Sequence, residues 1–378
     1  MNEYELCYPD YKKSIVNISS ALSAYFGAEH YHEPLFSLER FLTEGKFEKV
    51  VFLVTDGFGA WNQDICLDET SFLIGNRLDT VSSVFPPTTA AALTSIEREQ
   101  FPNAHCRLGW AMYFGDIKKS IEVFSGKTYG QRIKLRGYNK VDRDLPHSVK
   151  SVCERIAETG VAVNYISAFA SGADRHFTFG GIAERIKKLC ENTERRFIYA
   201  YFNEPDNTFH DKGVYSEASK QTARSLDETL KSLAAALPSD TALIVTCDHG
   251  QVDAAKNTFM REIPGLKACL SATPSLEPLA ISFRIKKGKE DDFLKIMRKY
   301  APGYKVFTKQ EVLDAQLYGT GENHPRMSEF IGDYLTVGIG DSFIWTHKEF
   351  IRMKGVHAGM HKGTMLCAVA AARGRKTN

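Results

Sequence analysis

The chain of 378 residues lacks any apolar run of signal-peptide or membrane-spanning length, and it opens on polar Asn2-Glu3-Tyr4-Glu5. A soluble, cytoplasmic protein with no membrane partner is therefore expected. Charge of one sign is also lacking: 48 Lys and Arg against 46 Asp and Glu leave a formal +2. Nothing in that balance calls for a nucleic acid as a stable partner. Eight cysteines lie scattered at positions 7, 66, 106, 153, 190, 247, 269 and 367. No pair has the C-x-x-C spacing of a zinc knuckle or a redox site, so unpaired thiols are favoured over a disulfide framework. Internal repeats and low-complexity segments are missing as well. With 43% hydrophobic residues the chain is long enough to bury a substantial core.

What is present alternates. Apolar runs of buried-strand type stand at Val50 to Thr55, Val161 to Ile166, Phe197 to Phe202 and Thr241 to Thr246. Helical patterns lie before and between them. Ile15, Ile18, Leu22 and Tyr25 mark one within a lead-in that ends near residue 48, and Trp61 to Leu73 reads as a second. Ser216 to Leu237 is the clearest, with Ala223, Leu226, Leu230, Leu233 and Leu237 on one stripe. This alternation predicts an α/β fold with a mainly parallel central sheet and helices on both faces. From about 258 the pattern changes. Pro264, Pro274 and Pro278 punctuate short strands at Leu279 to Ile285 and Tyr304 to Phe307 around a charged helix. Residues 258–325 are expected to form a small α+β cap inserted between core segments 1–257 and 326–378. Asp333 to Ile339 and Ser342 to Trp345 read as a hairpin returning to the core.

Three strand ends carry hard-metal ligands. They are Asp56-Gly57, the segment Asn203-Glu204-Pro205-Asp206-Asn207-Thr208-Phe209-His210, and Cys247-Asp248-His249-Gly250. In an open α/β sheet ligands bind beyond the carboxyl ends of the strands, so these groups can converge. Asp206 and His210 are four apart, and one helical turn would aim both at a single ion. His357 adds an imidazole between glycines in Lys354-Gly355-Val356-His357-Ala358-Gly359. Asp and His together suit Zn²⁺ first and Mn²⁺ or Fe²⁺ next. The segment Phe85-Pro86-Pro87-Thr88-Thr89-Ala90-Ala91-Ala92 predicts a helix starting at Thr88 or Thr89, which places a hydroxyl where an anion is favoured. Taken alone, that hydroxyl reads as an ordinary helix cap.

The order Asp56, Thr89, Asp206 with His210, Asp248 with His249, and His357 resembles the alkaline phosphatase superfamily, in its type I phosphodiesterase and nucleotide pyrophosphatase branch. Pro102, His105 and Gly109-Trp110-Ala111-Met112-Tyr113 are similar to the segment following the nucleophile there, with Cys106 where a glycine is usual. The resemblance implies an alkaline phosphatase-like fold and two bound metal ions. Asp206, His210 and His357 would hold one ion; Asp56, Asp248, His249 and the Thr89 hydroxyl would hold the other. It also implies attack by Thr89 on a phosphate ester and a phospho-threonine intermediate. Tyr201 matches an aromatic that stacks on a nucleobase, and Trp110 stands where relatives carry a phosphate-binding Asn. Ala90 replaces the Phe that would complete the stack. The expected partner is a small-molecule phosphate ester or nucleotide.

Alternatives within the superfamily are a phosphomonoesterase, a phosphomutase or a phosphonoacetate hydrolase, and a non-catalytic metal-binding protein is the alternative outside enzymes. A sulfatase is disfavoured because the Cys- or Ser-based C/S-x-P-x-R signature is absent at Thr89. His30, His32, His105, His147, His176, His324, His347 and His361 are assigned to structure or surface, although His361 lies four after His357. The basic and aromatic stretch 113–148 reads first as a solvated hairpin and second as a lining for the substrate's approach.

Overall fold

A computed structural model describes residues 6–129, 140–339, 342–346 and 353–375. Lys49–Thr55 and Thr241–Cys247 are buried at every position. Their unbroken apolar content fits strands covered on both sides. They form the middle of a six-stranded sheet ordered Arg77–Ser82, Leu366–Arg373, Thr241–Cys247, Lys49–Thr55, Arg196–Phe202, Ala162–Ile166. The last four strands run parallel, while Leu366–Arg373 is antiparallel to both of its neighbours. This is the mainly parallel α/β sheet expected from the alternation. Helices Ile15–Tyr25 and Glu217–Ala236 pack into the same apolar core. Each leucine that Glu217–Ala236 buries there contributes about 1.5–3 kcal/mol.

Register is what assembles the site. Thr55 pairs level with Phe202 on one side and with Cys247 on the other, so three strands end at the same height. Asp56 and Asp248 are the next residues on two of them. On the third, the chain turns through Glu204-Pro205 before helix Asp206–Lys212.

The second sheet differs from expectation. It is six-stranded and antiparallel, ordered Tyr304–Thr308, Tyr334–Gly338, Ala280–Phe283, Ser275–Glu277, Ala111–Phe114, Lys119–Glu122. Only three of those strands come from 258–325, because Tyr334–Gly338 is inserted between two of them and Ala111 pairs with Leu276. The segments 333–339 and 342–345 make no hairpin with each other. Ser342–Trp345 instead runs parallel to Lys256–Phe259. The helix expected over 61–73 is broken into Ala60–Cys66 and Phe72–Gly75. Between them Asp68 accepts from the Thr70 N–H at 3.0 Å and from its hydroxyl at 2.6 Å. Such a local turn competes with helix.

In the 113–148 stretch, Lys140 is buried against Asp116 and Asp144, which removes it from any substrate path. Arg132, Lys134 and Arg136 lie outside the described residues, as does His347. The eight cysteines form no disulfide. Among the described residues no helix is long and apolar enough to cross a membrane.

Candidate active site

Helix Thr89–Arg98 begins at Thr89, with Thr88 as its capping residue. The Thr88 side chain does not cap the helix. Its hydroxyl donates to Glu277 Oε1 at 2.6 Å instead. The first intrahelical bond runs from the Ala92 N–H to the Thr88 carbonyl, so the N–H groups of Thr89, Ala90 and Ala91 have no partner inside the helix. The Thr89 hydroxyl stands beside them, 3.2 Å from His249 Nε2 and 3.4 Å from Asp56 Oδ1. Ala90 belongs to the core of the second sheet and Ala91 and Ala92 to that of the first. The helix start therefore sits where the two cores meet.

Around Thr89 the structure gathers the six other predicted ligands into two groups, Asp56 with Asp248 and His249, and Asp206 with His210 and His357. Within each group the ligand atoms lie within 4.8 Å of one another. The groups adjoin, since the rings of His249 and His357 are 4.1 Å apart. Backbone geometry permits this crowding. Gly57 has φ of +70°, and a Cβ there would come within 2.8 Å of Asp206 Oδ1, so only glycine serves after Asp56.

Hydrogen bonds orient four of the candidate ligands, Asp248, His210, Asp206 and Asp56. Asp248 Oδ1 accepts from the N–H groups of Gly57 and His249 at 3.2 and 3.0 Å. Its Oδ2 is buried with no hydrogen-bond partner. His210 donates Nδ1–H to the Gly355 carbonyl at 2.7 Å, which presents Nε2 beside Asp206 Oδ2 at 3.3 Å. Gln251 Nε2 donates to Asp206 Oδ1, and Tyr201 donates its hydroxyl to Asp56 Oδ2. His357 Nδ1 is likewise buried without a partner.

The electrostatics ask for cations. Burial pushes the Asp56 carboxyl well above the usual range, and the charges of Asp248 and Asp206 push it further. Burial opposes ionisation of Asp206 too, but the neighbouring imidazoles, His210 foremost and then His357 and His249, together outweigh it and hold that carboxyl low. Burial, reinforced by His249, keeps His357 neutral, the form in which imidazole ligates. Three buried carboxylates close together and two orphaned ligand atoms make a donor set that fits two divalent ions.

The other predicted residues are placed as follows. Tyr201 is 5% exposed, and its ring lies against that of Phe169, 6.4 Å away at 27°. Trp110 is half-buried against Phe124, and its main-chain N–H donates to Glu277 Oε1 at 2.6 Å. His361 lies outside both groups, because its Nδ1 accepts from the Gly363 N–H and caps Lys362–Met365. His105 is buried against Ser95. Sequence reasoning missed Glu277, Gln251 and Phe169. Gln251 stands two residues after His249 and could have been noticed; Glu277 is one acid in a strand and carries no local signal.

A profile described as type I phosphodiesterase / nucleotide pyrophosphatase matches residues 50–339. No curated protein matches the chain significantly. Among solved structures, murine ectonucleotide pyrophosphatase/phosphodiesterase 5, in an inactive form complexed with AMP, is similar with a TM-score of 0.65 at 18% identity, over 87% of this chain and 90% of that one. The human protein of the same name gives 0.63 at 17%, with the same coverage of each chain. Phosphonoacetate hydrolase from Sinorhizobium meliloti 1021, complexed with phosphonoformate, gives 0.59 at 14%, again over 87% and 90%. These likenesses confirm the fold, and the profile covers most of the chain: it belongs to the type I phosphodiesterase / nucleotide pyrophosphatase family.

Proposed function

We propose that this protein is a metal-dependent hydrolase that cleaves phosphodiester or pyrophosphate bonds of nucleotide-like substrates, with Thr89 as nucleophile. The observation that carries the reading is the Thr89 hydroxyl, set between Asp56 and His249 at the open end of a helix. Asp56, Asp248, His249 and Thr89 would hold one divalent ion, and Asp206, His210 and His357 the other, with Zn²⁺ favoured by the donor types. Such ions supply Lewis-acid stabilisation of phosphoryl charge and lower the pKa of a nearby hydroxyl. The Thr89 hydroxyl gives its proton to solvent as Oγ1 attacks phosphorus and the bond to the ester oxygen breaks. That oxygen leaves and takes up a proton, and water then displaces the phosphoryl group from Thr89 and restores its hydroxyl. The unpaired N–H groups of the first helical turn favour a non-bridging phosphoryl oxygen beside them.

Phe169 is 79% exposed and stacked against Tyr201, which itself touches Asp56. It offers a planar group the aromatic face that Ala90 does not. The AMP bound by the murine relative supports a nucleotide-like substrate. One comparison tests the reading. The metal-loaded protein should turn over bis-(p-nitrophenyl) phosphate with higher kcat/KM than p-nitrophenyl phosphate. Thr89→Ala should lose at least about 1,000-fold in kcat while keeping its metal, and Thr89→Ser should keep part of the activity. Near wild-type turnover by the alanine variant, or preference for the monoester or for phosphonoacetate, would overturn it.

A further inference from the structure

Glu277 is a carboxylate that neither metal group uses. It is 5% exposed, at the end of strand Ser275–Glu277 in the second sheet. Both of its protein hydrogen bonds fall on one oxygen: Oε1 accepts from the Thr88 hydroxyl and from the Trp110 N–H, each at 2.6 Å. Oε2 has no hydrogen-bond partner among the described residues. Thr88 is the residue before the nucleophile, and the charges of His210 and Asp206 act on Glu277. The carboxylate is therefore hydrogen-bonded to the residue that adjoins Thr89, at the helix start a phosphoryl group would approach.

The charges acting most strongly on Asp56, Asp206, Asp248 and Glu277 are those of the site's own carboxylates and of His210, His357 and His249, not of a lysine or arginine. With the two ions of the proposed function offsetting the ligand carboxylates, Glu277 adds a negative charge that repels a doubly charged terminal phosphoryl group more than a singly charged diester. We propose that Glu277 is a specificity-determining residue that excludes dianionic phosphoryl groups and so reserves the site for singly charged phosphodiesters. The inference rests on the phosphodiesterase reading above and adds the residue that enforces it.

Glu277→Gln separates charge from scaffold, because an amide carbonyl still accepts from Thr88 and Trp110. Burial pushes the Glu277 carboxyl up to about 7, so the comparison belongs at pH 8.5, where the wild-type group is ionised. Removing one like charge near the phosphoryl group should raise the monoester-to-diester ratio of kcat/KM about 10- to 100-fold. Calorimetric binding of inorganic phosphate to the metal-loaded protein should tighten by a similar factor, with metal content unchanged. Glu277→Asp, which keeps the charge, should keep the wild-type ratio. A ratio and a phosphate affinity that stay within about twofold of wild type in the glutamine variant would overturn the proposal, whether or not overall turnover falls. If the wild type itself cleaves no diester, the phosphodiesterase reading fails, and phosphate binding still decides the role of Glu277.

Discussion

Tyr201→Phe is the most informative single change, because it removes one hydroxyl and nothing else. The ring is 5% exposed and lies against Phe169, so phenylalanine keeps the buried area and the ring contact. What is lost is the hydrogen bond to Asp56 Oδ2. A bond to an ionised acceptor contributes about 1.5–3 kcal/mol, equivalent to about 10- to 100-fold, the usual effect of deleting the partner of a metal ligand. Titration of Zn²⁺ into the metal-stripped protein with a competing chelator should show one of two sites weakened by that factor and the other unchanged. Diester turnover should recover at excess metal, since the nucleophile is untouched. If both sites keep their affinity within about twofold, the hydroxyl does not orient Asp56. If substrate affinity falls instead while metal binding holds, Tyr201 acts on the substrate directly.

His357→Ala should lower bound metal from two ions per chain toward one, whereas His361→Ala should leave it at two, because His361 is occupied in capping Lys362–Met365; metal analysis of the purified variants decides between them. His105 supplies a pH prediction. Its Nδ1 accepts from the Arg107 N–H at 3.1 Å, and burial, then Arg107, hold its pKa well below the usual value. A base whose folded pKa is lowered contributes stability that is complete above the unfolded value of about 6.5 and lost as pH falls below it, at up to about 1.4 kcal/mol per pH unit. His105→Asn should therefore show a flatter fall in stability between pH 6.5 and 5 than the wild type, measured by urea unfolding, and an identical slope would refute the assignment.

The ligand set was legible because each member sits at a local landmark. Asp56 and Asp248 follow unbroken apolar strands, Asp206 and His210 share one helical turn, and His357 lies between glycines. Helices such as Glu217–Ala236 were legible for the same reason, since a long stripe of leucines has only one way to be buried. One failure was local, the Asp68 turn that breaks the helix expected over 61–73; the others were matters of pairing. Residues 333–339 and 342–345 look like a hairpin, yet Tyr334–Gly338 finds its partners in Ala280–Phe283 and Tyr304–Thr308.

The sequence by itself determined the α/β class, the places where the main strands end and the chemistry available there. Apolar runs, breaks and ligand types are properties of short stretches, and local physics acts on them directly. Tertiary structure alone decided that Thr55, Phe202 and Cys247 lie level, and that the Thr88 hydroxyl turns from its own helix to Glu277, 189 residues along the chain. Those outcomes depend on register and on long-range contacts between strands, which no local pattern encodes.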